Sequence, residues 1–100
     1  MIHQLLVDLT LDFLQNVGKK AIVTIDGIDH EYDFKYVEIV GNTVKKYVYL
    51  STEQGQVTNA RVVDNQGRNL ETYTASIEKG PDGFMVVFYL TLEINGEVSA

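Results

Sequence analysis

The sequence predicts an all-β fold, an antiparallel β-sandwich or partly open barrel of about seven hairpin-connected strands, in a single domain covering residues 1–100. Three observations predict it: glycine-closed turns recur along the chain, the segments between them have strand length, and apolar side chains alternate within those segments. Four turns share one pattern, a residue pair followed by glycine: Asn16-Val17-Gly18, Glu53-Gln54-Gly55, Asn65-Gln66-Gly67 and Pro81-Asp82-Gly83. A type I turn followed by a left-handed glycine closes a hairpin in this way. Asp26-Gly27, Gly41-Asn42 and Asn95-Gly96 are shorter equivalents.

The first seventeen residues admit two readings. As a strand, Val7, Leu9, Leu11 and Phe13 alternate with Asp8, Thr10 and Asp12, the pattern of a half-buried surface. As a helix over residues 2–17, Ile2, Leu5, Leu6, Leu9, Phe13 and Val17 share one face and Gly18 is a C-cap followed by lysines. That stripe includes Asp12 and leaves out Val7, Leu11 and Leu14. The strand is preferred, because it gives Asn16-Val17-Gly18 the same role as its three counterparts. The alternative is α+β, with an N-terminal helix packed on a curved antiparallel sheet.

Further along, Tyr32, Phe34 and Tyr36 alternate with Glu31, Asp33 and Lys35, and the phase then switches to Val37 and Ile39. A bulge, or a strand passing from one sheet to another, produces such a switch. Tyr47 and Tyr49 alternate with Val48 and Leu50, and Tyr73, Ala75 and Ile77 oppose Thr72, Thr74 and Ser76. Residues 57–63 mix Asn59 and Arg61 among valines and read as an edge or half-exposed strand. From Phe84 to Ile94 every second residue is apolar, and Met85, Val87 and Tyr89 make the first half apolar on both faces. That is the pattern of a central strand covered on both sides.

Composition excludes several chemistries. Cysteine is absent, which removes disulfides, thiolate nucleophiles and thiolate metal sites and favours a reducing compartment. No basic residue precedes the apolar N-terminal stretch, and Asp8 and Asp12 interrupt it, so neither a signal peptide nor a spanning helix is expected and a cytoplasmic location is. Eight basic against fourteen acidic residues give a net charge of −6, which opposes binding to nucleic acid. The two histidines, His3 and His30, and the three serines, Ser51, Ser76 and Ser99, lie in no nucleophile motif. The eight glycines are scattered among turns rather than gathered in a phosphate-binding loop. No cofactor is expected.

Two clusters remain as candidate binding residues. On a strand Asp29, Glu31 and Asp33 project from one face beside Asp26 and His30, giving a weak cation site, a patch for a basic partner, or a solvated face. No known metal-ligand spacing is matched, so no metal is assigned. Tyr32, Tyr36, Tyr47 and Tyr49 fall in consecutive strand segments joined at Gly41-Asn42. Tyrosine combines apolar area with a polar tip, which suits an interface or the rim of a core. The leading functional reading is a non-catalytic protein–protein interaction or structural module: a subunit or adaptor of an assembly, or a small acidic inhibitor of a partner protein. Self-association through an unpaired sheet edge belongs to that reading. The alternative is a small-ligand carrier whose barrel interior is lined by Phe34, Tyr36, Phe88 and Leu90. An enzyme built on the acidic cluster ranks last.

Overall fold

The glycine turns do fold the chain back on itself, into two antiparallel sheets. The computed structural model describes residues 1–99. A helix, α1 (Gln4–Val17), is followed by seven strands: β1 (Lys20–Ile25), β2 (Ile28–Tyr32), β3 (Tyr36–Val40), β4 (Thr43–Leu50), β5 (Gly55–Val63), β6 (Asn69–Lys79) and β7 (Phe84–Thr91). One sheet has the order β2-β1-β5-β6 and the other β3-β4-β7. The fold is a sandwich-like, mostly antiparallel β structure with one short helix, and the two sheets do not close into a barrel.

Hairpins and crossings between sheets alternate along the chain. Asp26 and Gly27, at φ 50° and 77°, form the two-residue loop between β1 and β2, where two successive positive φ values match the strand twist. Gly41-Asn42 joins β3 to β4, and Asn65-Gln66-Gly67 lies in the turn between β5 and β6. Asp64 organises that last turn: its carboxylate accepts from the backbone N–H groups of Gln66 and Arg68, both at 2.9 Å, and from Arg68 Nε at 2.6 Å. These bonds, the Arg68 backbone N–H first, hold its pKa below the usual aspartate value. The chain changes sheet between Tyr32, which ends β2, and Tyr36, which begins β3, so the alternation that runs through Tyr32, Phe34 and Tyr36 spans two strands of different sheets and the switch at Val37 falls just inside β3.

Two of the four glycine triplets do not make hairpins. Glu53-Gln54-Gly55 and Pro81-Asp82-Gly83 carry the chain between sheets, from β4 to β5 and from β6 to β7. A turn motif encodes a local reversal, and packing decides which sheet the next strand joins. The third exception is a correction to the preferred strand at the N-terminus. Asn16 and Val17 end α1, and Gly18 has an ordinary φ of −80°. Leucine and glutamine, good helix formers, dominate the segment, while the adjacent Leu5-Leu6 breaks strict alternation.

The helix also turns its face contrary to the stripe read from sequence. Leu11 is buried, and Val7, Leu14 and Val17 are half-buried, whereas Leu5, Leu6, Leu9 and Phe13 are exposed. α1 packs on β3 and β4 alone among its stronger contacts. The chain measures 57 × 24 × 23 Å with a radius of gyration of 16.1 Å, against about 13 Å for a compact domain of this length.

The core lies between the sheets. Ala21, Val23 and Ile25 of β1 and Val57, Ala60 and Val62 of β5 face Val48 and Leu50 of β4 and Phe88 of β7. Two strands differ from their sequence patterns. β5, read as an edge or half-exposed strand, is central between β1 and β6 with one face partly exposed, and β7, read as central, is an edge beside β4. The inner residues of β7, Val86 and Phe88, belong to the core, while the opposite side carrying Met85 and Tyr89 is exposed.

Candidate interaction surface

Alternation along β4 separates its two faces. Val44, Lys46, Val48 and Leu50 are buried, and Thr43, Lys45, Tyr47 and Tyr49 point the other way. Register extends that outer face to both neighbours: Tyr36 is opposite Tyr47, Val87 is opposite Tyr47 on the other side, Met85 is opposite Tyr49 and Tyr89 is opposite Lys45. The face therefore carries Tyr36, Tyr47, Tyr49 and Tyr89 with Met85 and Val87. Tyr36, Tyr49 and Tyr89 are 48%, 46% and 59% exposed.

Contacts within the face hold it rigid. Tyr36 and Tyr47 stack with centroids 4.1 Å apart and planes inclined by 15°. Tyr47 donates its hydroxyl proton to Glu38 Oε1 at 2.9 Å, and this bond is the main reason its pKa rises above the usual tyrosine value. The ammonium groups of Lys35 and Lys45 lie over the rings of Tyr49 and Tyr89, at 5.1 and 5.6 Å from their centroids. Ordered aromatic rings lose little side-chain entropy when a partner covers them.

Tyr32 stands apart from the other three predicted tyrosines. It packs against the core, and its hydroxyl donates to Glu53 Oε2 at 3.0 Å. Burial first, then that bond, push its pKa up to about 12. Tyr89 and Met85, which complete the face, are missing from the sequence reading because β7 was assigned to the interior.

Of the acidic trio Asp29 and Glu31 lie on β2 and are engaged, while Asp33 follows the end of that strand. Asp29 accepts from Thr24 Oγ1 at 2.7 Å and from Arg61 Nη2 at 3.1 Å. Those two bonds lower its pKa. Lys20 Nζ lies 2.6 Å from Glu31 Oε1 and 4.0 Å from Asp33 Oδ1. Among the described residues no group of three His, Cys, Asp or Glu side chains is placed to hold a metal ion. Nor, among the described residues, is any helix long and apolar enough to cross a membrane. The four residues of the carrier reading do not line one cavity: Phe34 and Phe88 meet edge-on at 6.4 Å, Tyr36 is on the outer face, and Leu90 lines a groove of about 570 Å³ beside α1.

Lys46 borders that same groove and is 4% exposed. Among the described residues no carboxylate lies within ion-pair distance of its ammonium. It donates to the Gly18 carbonyl at 3.5 Å, at the C-terminal end of α1, and lies 5.3 Å from the centroid of the Phe34 ring. Burial lowers its pKa below 10.5, so the charged form is the unfavourable one in the folded state. Lys46→Met is expected to be neutral or to stabilise the domain by up to about 2 kcal/mol at neutral pH. Since the folded pKa lies below the unfolded one, the penalty is present at low pH and relieved as pH rises through that interval. Urea titrations between neutral pH and 10.5 should therefore show the gap between variant and wild type narrowing.

No known protein family matches the chain, and neither a curated protein sequence nor a solved structure matches it.

Proposed function

We propose that the chain is a non-catalytic protein–protein interaction or structural module, a subunit or adaptor of a larger assembly. The single observation that carries this reading is the outer face of β3-β4-β7, an ordered plate of four tyrosines with Met85 and Val87. Aromatic residues and methionine are enriched at interface cores, where rigid rings give contact area at small entropic cost. The bare helix face at Leu5, Leu6, Leu9 and Phe13 adds a second apolar surface. Pairing of Asp29 and Glu31 with Arg61 and Lys20 favours a subunit over an acidic inhibitor, whose carboxylates would have to be free for a basic partner. The absence of cysteine suits a cytoplasmic setting.

Site-specific photo-crosslinking tests the reading. A photoreactive phenylalanine analogue in place of Tyr49 should give a discrete macromolecular adduct in native lysate. The same analogue in place of Thr72, on the opposite sheet, should not. Indistinguishable adduct patterns at the two positions would reject the tyrosine face as the contact surface.

A further inference from the structure

The sandwich has four edge strands, and three of them carry features that discourage pairing with another chain. β2 is short and bears Asp29, His30 and Glu31, and β3 is equally short and bears Glu38. β6 bears Glu71, Glu78 and Lys79, and its register with β5 slips at two places. β7 has none of these. Its eight residues, Phe84 to Thr91, include no charge, no proline and no register slip against β4.

Backbone directions follow from two hydrogen bonds. The Lys35 N–H donates to the Tyr47 carbonyl at 2.7 Å, so Tyr47 turns its backbone groups toward β3. The Leu92 N–H donates to the Asn42 carbonyl at 2.8 Å, so Leu92 turns its own toward β4. Backbone groups alternate in direction along a strand. Phe84, Val86, Phe88 and Leu90 therefore bond to β4, and Met85, Val87, Tyr89 and Thr91 direct their N–H and C=O groups at the open edge. A groove of about 300 Å³, lined in part by Tyr73, Ala75, Val86 and Phe88, opens beside it.

We infer that β7 is a dimerisation strand, pairing antiparallel with β7 of a second copy of this chain across a two-fold axis near Val87. This inference rests on reading the β3-β4-β7 sheet as an interaction element, and names a second copy as the partner on its edge. Charge selects the occupant. Of the four edge strands only β7 is free of charge, so among the edges that two copies of this chain can offer each other, only β7 against β7 sets no charged side chain in the paired register. With Val87 opposite its symmetry mate, Met85 faces Tyr89 of the other copy, a sulfur–aromatic contact, and Val86 faces Phe88. No charged residue falls between positions 83 and 91 in that register. The paired length is about 27 Å, and the two tyrosine faces become one continuous six-stranded surface.

Sedimentation velocity across a concentration series tests the pairing. Wild type should convert from monomer to dimer as concentration rises. Val87→Pro removes an N–H that points away from β4 and should give a folded monomer throughout. Val87→Lys, which keeps every backbone group, should do the same and covers the case in which the proline variant does not fold. Leu9→Glu, on the bare helix face, should leave the dimer intact. A wild type that stays monomeric at high concentration would overturn the inference, and so would a dimer that survives Val87→Lys or is lost in Leu9→Glu. The Tyr49 cross-link separates the two readings. An adduct retained by a monomeric Val87→Lys protein belongs to a different macromolecule and leaves the tyrosine face standing on its own.

Discussion

Replacing Lys79 by alanine is expected to cost about 2–3 kcal/mol, a large share of the about 5–15 kcal/mol that holds a domain of this size folded. Lys79 ends β6 and is 4% exposed. Its ammonium has four carbonyl acceptors and no carboxylate: Ser51 at 2.9 Å, Gly80 at 3.0 Å, Asp82 at 3.1 Å, and Glu53. Ser51 and Glu53 lie in the crossing from β4 to β5, while Gly80 and Asp82 lie in the crossing from β6 to β7. One side chain thus ties together both loops that exchange the chain between sheets at this end. Bonds from a charged donor contribute more than neutral ones, and their loss leaves several carbonyls without a partner. Urea denaturation at fixed protein concentration measures the change. A loss below about 1 kcal/mol would show that water replaces the ammonium without difficulty.

The second large effect is expected at Phe88, with about 3–5 kcal/mol lost on replacement by alanine. Phe88 is 4% exposed and stands edge-on to Phe34, with its centroid 5.9 Å from that of Tyr73. It joins the two sheets at the side where β6 and β7 do not hydrogen-bond to each other, so its rings are what closes that side. Tyr89→Ala, one residue along and on the outer face, should cost less than about 1 kcal/mol. The pair of variants checks the face assignment of β7 directly, since a one-residue change in pleat would exchange the two results.

The exposed apolar surfaces and the stability determinants occupy different parts of the molecule. Lys79, Phe88 and Asp64 hold turns, crossings and core, whereas Tyr36, Tyr49, Tyr89 and the helix residues Leu9 and Phe13 are largely bare. Substitutions on those bare surfaces are therefore able to alter association with little effect on folding. That separation makes the cross-linking and sedimentation experiments interpretable.

Much of the architecture was legible from local patterns. The antiparallel arrangement and the Asp26-Gly27 and Gly41-Asn42 hairpins follow from turn chemistry and period-two alternation, and the irregular phase around Tyr36 left a bulge or a change of sheet open, of which the second is found. The tyrosine cluster was legible too, because Tyr36, Tyr47 and Tyr49 share one parity across a two-residue turn. Hydropathy alone misplaced β7: residues apolar on both faces look alike whether the second face is covered by protein or left bare. The same limit hid Tyr89 and Met85 from the candidate surface.

What tertiary structure decided is which surfaces meet. The N-terminal segment supports two periods, and the helix prevails with Leu11 against β3 and β4 and the larger stripe outside. Nothing in the sequence sets Lys46 and Lys79 apart from the other lysines, since burial depends on what packs above a residue and not on its neighbours in the chain. Turn and strand propensities act over a few residues, so the sequence by itself determined most of the strands and the reversals at Asp26-Gly27, Gly41-Asn42 and Asn65-Gln66-Gly67. Strand order, the buried cations and the open edge of β7 arise from contacts between residues far apart in the chain, which only the packed molecule brings together.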